Sequence, residues 1–231
     1  MGDPTAYPVH IGGSQRGMLE GDTRTHVRVR ELLDRPHLYA VGPGEGIRGE
    51  VTVIDSVVSV TRVDEAGRWV VTQEPDAGAC FLVWSYVPLW REYSCPVAGL
   101  DDLERALEEL ANEAGMPATG PMPFLVEAAS ADVALHALNK PDEDGHSLKQ
   151  HHAAKVHATF ADRPVLLVGF YAHKGHGAFT PPDSVVHCHV CTTDDGAPMC
   201  GHVDGVRFGD GPVRVFLPDV SAVDGYATDN D

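Results

Sequence analysis

The stretch Val185-Val186-His187-Cys188-His189-Val190-Cys191-Thr192, followed by Asp194-Asp195-Gly196-Ala197-Pro198 and then Gly201-His202-Val203, decides how this chain is read. The first segment is rich in β-branched residues and predicts a strand. Side chains alternate along a strand, so His187 and His189 point to one face and Cys191 continues their row. The Asp-Asp-Gly-Ala-Pro segment predicts a turn. The chain then returns antiparallel and carries His202 back beside the pair. Three imidazoles from a protein leave one metal coordination position open, which is the pattern of a catalytic zinc rather than a closed structural one.

The same stretch contains a rival set. Cys188 and Cys191 form a Cys-x-x-Cys pair, and Cys200 with His202 would complete four ligands of a closed zinc site. Residues three apart on a regular strand face opposite sides, and Val190 is a poor turn residue, so strand geometry favours the histidines. Cys188 then reads as a small buried hydrophobe, and Cys191 as a residue lining the pocket. Five cysteines is an odd number, which argues against a disulfide framework. Histidine is the unusual residue: there are 13, ten of them between His136 and His202. Most of these read as solvent-exposed or hydrogen-bonded core histidines.

With 231 residues the chain can bury a substantial core. Its formal net charge of -17 repels phosphate backbones, so nucleic acid is not an expected partner. An anionic substrate would need a local cation to reverse that field. The longest apolar runs, such as Pro164 to Phe170, are too short to span a bilayer. The N-terminus lacks a basic segment followed by an apolar one, and a cytoplasmic location is the default expectation.

Outward from the histidine stretch, residues 1–22 predict a loose or extended N-terminal arm, and residues 23–231 a single domain with a possible subdivision near 116–122. A short helix is expected over Thr23–Leu33 and a loop over His37–Ile47, around Gly42-Pro43-Gly44-Glu45-Gly46. Strands are expected over Glu50–Arg62, Arg68–Gln73 and Cys80–Val87, forming a meander. The clearest helix runs from Asp102 to Ala114, with Asp101 as N-cap, Glu104 completing a capping box and Gly115 ending it. A strand follows at Phe124–Val126. Residues 142–160 are ambiguous, with Ser147 and Gln150 suggesting a capped helix. Strands are expected at Val165–Ala172, Val185–Thr192 and Val213–Leu217. The sum is an α+β protein of largely antiparallel sheets with few helices.

Several of these segments together resemble the α-acetolactate decarboxylase family. The order Leu167-Val168-Gly169-Phe170, His187-Cys188-His189, Gly201-His202-Val203 is similar to the family's Val-Gly-Phe strand, His-x-His strand and Gly-His-Val return. Gly49-Glu50-Val51-Thr52-Val53-Ile54-Asp55 and Pro123-Phe124-Leu125-Val126 are further matches. The resemblance runs, with gaps, from about Leu32 to Pro218. It implies a mixed α+β fold with extended, partly bifurcated sheets. It also implies a zinc ion held by His187, His189 and His202, with Glu50 beside it.

Two departures stand out. After the Phe124 strand the family places an arginine that holds the anionic substrate and protonates the intermediate; here the residue is His136, which is shorter, only partly charged near neutral pH and without a bidentate fork. The family also uses a glutamate near its C-terminus, and residues 222–231 contain none. The expected activity is that of a zinc-dependent lyase decarboxylating a 2-hydroxy-3-oxo acid through a metal-stabilised enediolate. Glu50 or His136 would be the proton donor, a small molecule the substrate and acetoin the type of product. A metal-dependent isomerase or cyclase on a hydroxyketone or β-dicarbonyl compound is the alternative, and a non-catalytic metal-binding module of the same fold is a third. A homodimer is a possible assembly. Tyr171, His173 and His176 follow the Gly-Phe strand and either reach the mouth of the site or sit in an exposed loop.

Overall fold

A computed structural model describes residues 7–116, 121–141, 145–172, 179–180 and 184–221. Its strands are β1 (His10–Gly13), β2 (Val27–Arg28), β3 (Leu38–Pro43), β4 (Glu50–Ile54), β5 (Val57–Val63), β6 (Trp69–Gln73), β7 (Gly78–Ala79), β8 (Phe81–Tyr86), β9 (Trp90–Cys95), β10 (Met122–Leu138), β11 (Lys155–Tyr171), β12 (Val186–Thr192), β13 (Cys200–Phe208) and β14 (Val213–Pro218). The α-helices are α1 (Gln15–Leu19), α2 (Leu100–Glu113) and α3 (Leu148–Ala153). Every pairing among the named strands is antiparallel. The expected α+β class with few helices is the architecture found.

The first sheet has the order β1-β8-β3-β4-β5-β6. Its centre is β3, where the sequence predicts a loop. All six β3 residues are buried, so the polar alternation that marks a half-exposed strand is lost. The predicted strand over Glu50–Arg62 is instead the hairpin β4–β5. Asp55 and Ser56 form its two-residue turn, both with positive φ (47° and 66°), as a hairpin of the twisted type requires. The helix expected over Thr23–Leu33 is replaced by β2 and a 3-10 turn over Val29–Leu32. Val27 and Val29 are buried and Arg28 is exposed, a period of two that outweighs the helical signals around it.

The second sheet is built on β10 and β11, each 17 residues long and paired along nearly their whole length. Register shifts between Ala128 and Val133 divide β10 into two halves. The first half takes β14 as its other neighbour, and the second half takes β13. Strand β12 then joins β13 to the second half of β11, closing a ring β10-β11-β12-β13. The bifurcation is therefore a property of one long, bulged strand. The sequence marked only three residues of β10, because its Ala/Ser-rich centre carries little strand signal.

Helix α2 buries Leu103, Leu107, Leu110 and Ala111 against the second sheet. Its start differs from the capping-box expectation. Gly99 is the N-cap, Asp102 accepts from the Ala98 amide (3.1 Å), and Glu104 instead accepts from Ser184 Oγ (2.6 Å) and the Val185 amide (3.3 Å). Glu104 thus ties the helix to the entrance of β12. Gly115 (φ 71°) ends the helix as expected. Within the ambiguous region, α3 is a short helix capped by Ser147, and β11 begins directly after it. The part of the predicted arm that is described forms edge strand β1 on β8 and the short helix α1.

Candidate metal centre

Strand register brings the predicted histidines together. His189 lies opposite His202 on the β12–β13 ladder, and His187 precedes His189 by one pleat on the same face. One ligand nitrogen from each of His187, His189 and His202 lies within 4.8 Å of the other two. Ring centroids are 5.0 Å apart for His187 and His202, 5.5 Å for His187 and His189, and 5.6 Å for His189 and His202. His187 and His189 are buried, while His202 keeps partial exposure.

Burial decides the charge state of this group. It pushes His187 down to about 4, outweighing the backbone of Phe179, which pulls the other way. His189 and His202 are held well below the ordinary imidazole value, by burial first and by their histidine neighbours second. The three rings are neutral near pH 7 and so present lone pairs, as a metal site requires. Among the described residues, His187 Nδ1 and His189 Nε2 are buried without a hydrogen-bond partner. Buried polar atoms are ordinarily satisfied, and an orphaned imidazole nitrogen facing two others is what a metal ion would satisfy. The group can hold a metal.

The opposing sheet adds two groups. Thr52 Oγ1 lies 2.8 Å from His189 Nδ1, which fixes the ring and leaves Nε2 as the nitrogen free for a metal. Glu50, two residues earlier on the same face of β4, places Oε2 3.6 Å from His189 Nε2. Its Oε1 accepts from the Leu138 amide at 3.2 Å. Burial pushes the Glu50 carboxyl up to about 8, against the lowering pull of the Leu138 amide and the Lys155 charge. Gly49 makes this approach possible. Its φ is 82°, and a Cβ there would lie 2.3 Å from the Thr61 carbonyl oxygen.

His136 also reaches the site. It lies opposite His202 on the β10–β13 ladder, with ring centroids only 4.5 Å apart. It falls outside the convergent ligand set. Its Nδ1 is 2.7 Å from Asp204 Oδ1. Burial lowers its pKa, and the partly opposing effect of Asp204 does not restore it. Glu50, His136 and the three histidines are thus one cluster, assembled from β4, β10, β12 and β13.

Cys188 is buried and free, as expected, and its burial pushes the thiol up to about 12. Cys191 differs from its expected role. It faces Cys200 across the ladder and forms a disulfide with it, one pleat from His189 and His202. An odd cysteine count argues against a framework but says nothing about one cross-strand pair, which register alone creates. That bond also removes both sulfurs from the rival cysteine set. Tyr171 is buried in the core beneath α2 rather than at the mouth of the site. His173, His176, the C-terminal segment 222–231 and most of the interval 116–122 lie outside the described residues.

Sequence reasoning missed Thr52 and Asp204. Thr52 carried a weak signal, standing two residues from Glu50 on the same strand face, whereas the placement of Asp204 depends on a bulge in β13.

No known protein-family model matches the sequence, and neither does any curated protein. Solved structures do. An acetolactate decarboxylase from Bacillus subtilis strain 168 superposes with a TM-score of 0.68 at 14% identity, over 91% of this chain and 84% of that one. The chain has the α-acetolactate decarboxylase fold. The enzyme from Bacillus subtilis subspecies spizizenii gives 0.68 at 13% identity, over 91% and 85%. A Staphylococcus aureus protein of unknown function, described as similar to α-acetolactate decarboxylase, gives 0.69 at 15% identity, over 90% and 84%. The acetolactate-decarboxylase-like fold thus extends over nearly the whole chain. No helix among the described residues is long and apolar enough to cross a membrane.

Proposed function

We propose that this protein is a zinc-dependent lyase that removes carbon dioxide from a 2-hydroxy-3-oxo acid, with His187, His189 and His202 as metal ligands. The observation that carries the reading is the convergence of three neutral imidazoles, one with an orphaned buried Nε2, beside a carboxyl from the facing sheet. The fold of acetolactate decarboxylase supports the same chemistry. All-imidazole coordination with an open position suits zinc. When bound, zinc would act as a Lewis acid on a substrate carbonyl and stabilise the negative charge that develops on oxygen.

The chain's own groups then have distinct tasks. Thr52 orients His189, and the Leu138 amide orients Glu50. Once carbon dioxide has left, the remaining electron pair needs a proton on carbon. Glu50 and His136 are the groups placed to hold and deliver it. A buried carboxyl with a raised pKa keeps its proton near neutral pH, which suits an acid; a cation alongside would draw that proton off and favour a base or ligand. The formal charge of -17 favours a small-molecule substrate over nucleic acid.

A second reading is favoured by one observation. His136 is buried and shifted toward its neutral form, so it supplies no fixed positive charge for a carboxylate. A hydroxyketone isomerase would use the same metal and proton donors without carbon loss. Zinc-loaded protein given racemic acetolactate separates the two: the lyase releases carbon dioxide and acetoin above a zinc-only control. Absence of both products, with interconversion of a neutral hydroxyketone, would replace the lyase by the isomerase.

A further inference from the structure

The β10–β13 ladder contains a bulge whose position is informative. Val203 faces Leu135 and Gly205 faces Ala134, so Asp204 is the extra residue with no cross-strand partner. A bulge of this kind re-aims one side chain and recurs next to active sites. Here it sends a carboxylate to three basic groups. Asp204 Oδ1 lies 2.7 Å from His136 Nδ1, Oδ2 lies 3.1 Å from His157 Nδ1, and Lys155 Nζ is 3.8 Å from Oδ1.

The arrangement spans the edge of the site. His157, His136, His202 and His189 stand in cross-strand register on β11, β10, β13 and β12, a single row of four imidazoles. The His157 side chain is 62% exposed, whereas that of His136 is 4% exposed. Asp204 therefore joins a solvent-facing histidine to a buried one. An imidazole has two nitrogens, and the partner of one fixes the proton on the other. An ionised carboxylate at Nδ1 selects the Nδ1–H tautomer and leaves Nε2 with its lone pair, so Nε2 must take up a proton before it can return one.

We propose that Asp204 is a positioning residue for His136: its carboxylate, aimed by the β13 bulge, holds the His136 ring in one orientation and in the Nδ1–H tautomer beside the histidine triad. This deepens the lyase reading and rests on it for the chemical use of His136, but not for the tautomer. Asp204 touches neither the triad nitrogens nor Glu50 in any described hydrogen bond. Its removal should therefore leave metal binding intact and change what His136 does.

The test uses the full chain loaded with zinc and labelled with nitrogen-15. In long-range proton–nitrogen spectra the wild type should display His136 as the Nδ1–H tautomer with a strongly downfield proton. In Asp204→Asn that signature should move or vanish, while zinc stays at wild-type stoichiometry and affinity. With acetolactate, kcat should fall about 10- to 100-fold, the usual range for loss of such a supporting partner, with KM within about twofold. Asp204→Glu should recover part of that loss. The pair Asp204→Asn/His136→Gln should be no worse than His136→Gln alone, because residues that act as one unit are not additive.

An unchanged His136 signature in Asp204→Asn would overturn the inference. So would zinc loss in proportion to activity, or losses that multiply in the double variant. Should Asp204→Asn fail to fold, Asp204→Glu is read in the same spectra, and a His136 ring in the wrong tautomer in the wild type overturns the idea directly. If wild-type protein decarboxylates nothing, the lyase reading falls while the spectra still decide Asp204.

Discussion

The two sheets contribute to the candidate site in different ways. The second sheet brings His187, His189 and His202 together by register, on neighbouring strands joined by a short connection. The first sheet brings Glu50 and Thr52, from positions 137 or more residues away from His189, and Phe81, which stacks on His187. The first arrangement depends on local pairing. The second depends on two packed sheets meeting at hydrogen-bond distance. Damage to the histidine strands should therefore abolish the site, whereas damage to β4 should detune it.

The largest expected effect comes from His189→Ala. It removes one of the three imidazoles and leaves Thr52 without its partner, and elemental analysis of untagged protein should find no stoichiometric zinc. Zinc retained at the wild-type level would break the assignment of the second sheet as the ligand source. Next is Glu50→Gln, an isosteric change in the first sheet. It should keep zinc bound but lower turnover by about 10²-fold, the lower end of what a positioned proton donor contributes. Loss of the metal instead would make Glu50 a ligand and erase the contrast between the sheets.

Gly49→Ala attacks the same carboxyl through the backbone. A residue with φ of 82° and a Cβ 2.3 Å from the Thr61 carbonyl cannot be accommodated without movement. Stability should fall by about 1–3 kcal/mol for the backbone strain alone, read by urea denaturation, with Glu50 displaced. The smallest effect is expected from Thr52→Val. It removes the hydrogen bond that orients His189 while nearly preserving volume, and zinc affinity should weaken by about 10-fold. An affinity unchanged by this substitution would mean that β4 supports the site by packing rather than by orientation.

The α-acetolactate decarboxylase fold was legible in part before the structure. The β12 and β13 strands, the α2 helix and the β14 strand could be read from alternation and caps, because each carries its signal within a few residues. Strand β3 could not, since burial on both faces removes alternation. Most of β10 could not either, since its bulges and small residues interrupt any single period. The capping box at Asp101 was a plausible local pattern, yet Glu104 found a better use on Ser184 and Val185, a contact between distant segments.

For the site, spacing alone selected the histidine face. A strand of period two puts His187 and His189 on one side whatever surrounds it. The sequence by itself thus determined the donor chemistry: imidazoles in a strand pair, in an acidic chain. Only the tertiary structure decided which nitrogen of His189 is free, because that depends on Thr52 from another sheet. It likewise decided that Cys191 pairs with Cys200, and that Asp204, by one extra residue in a ladder, meets His136. Register and inter-sheet contact are long-range quantities, set by how whole strands bury their faces, and no local spacing encodes them.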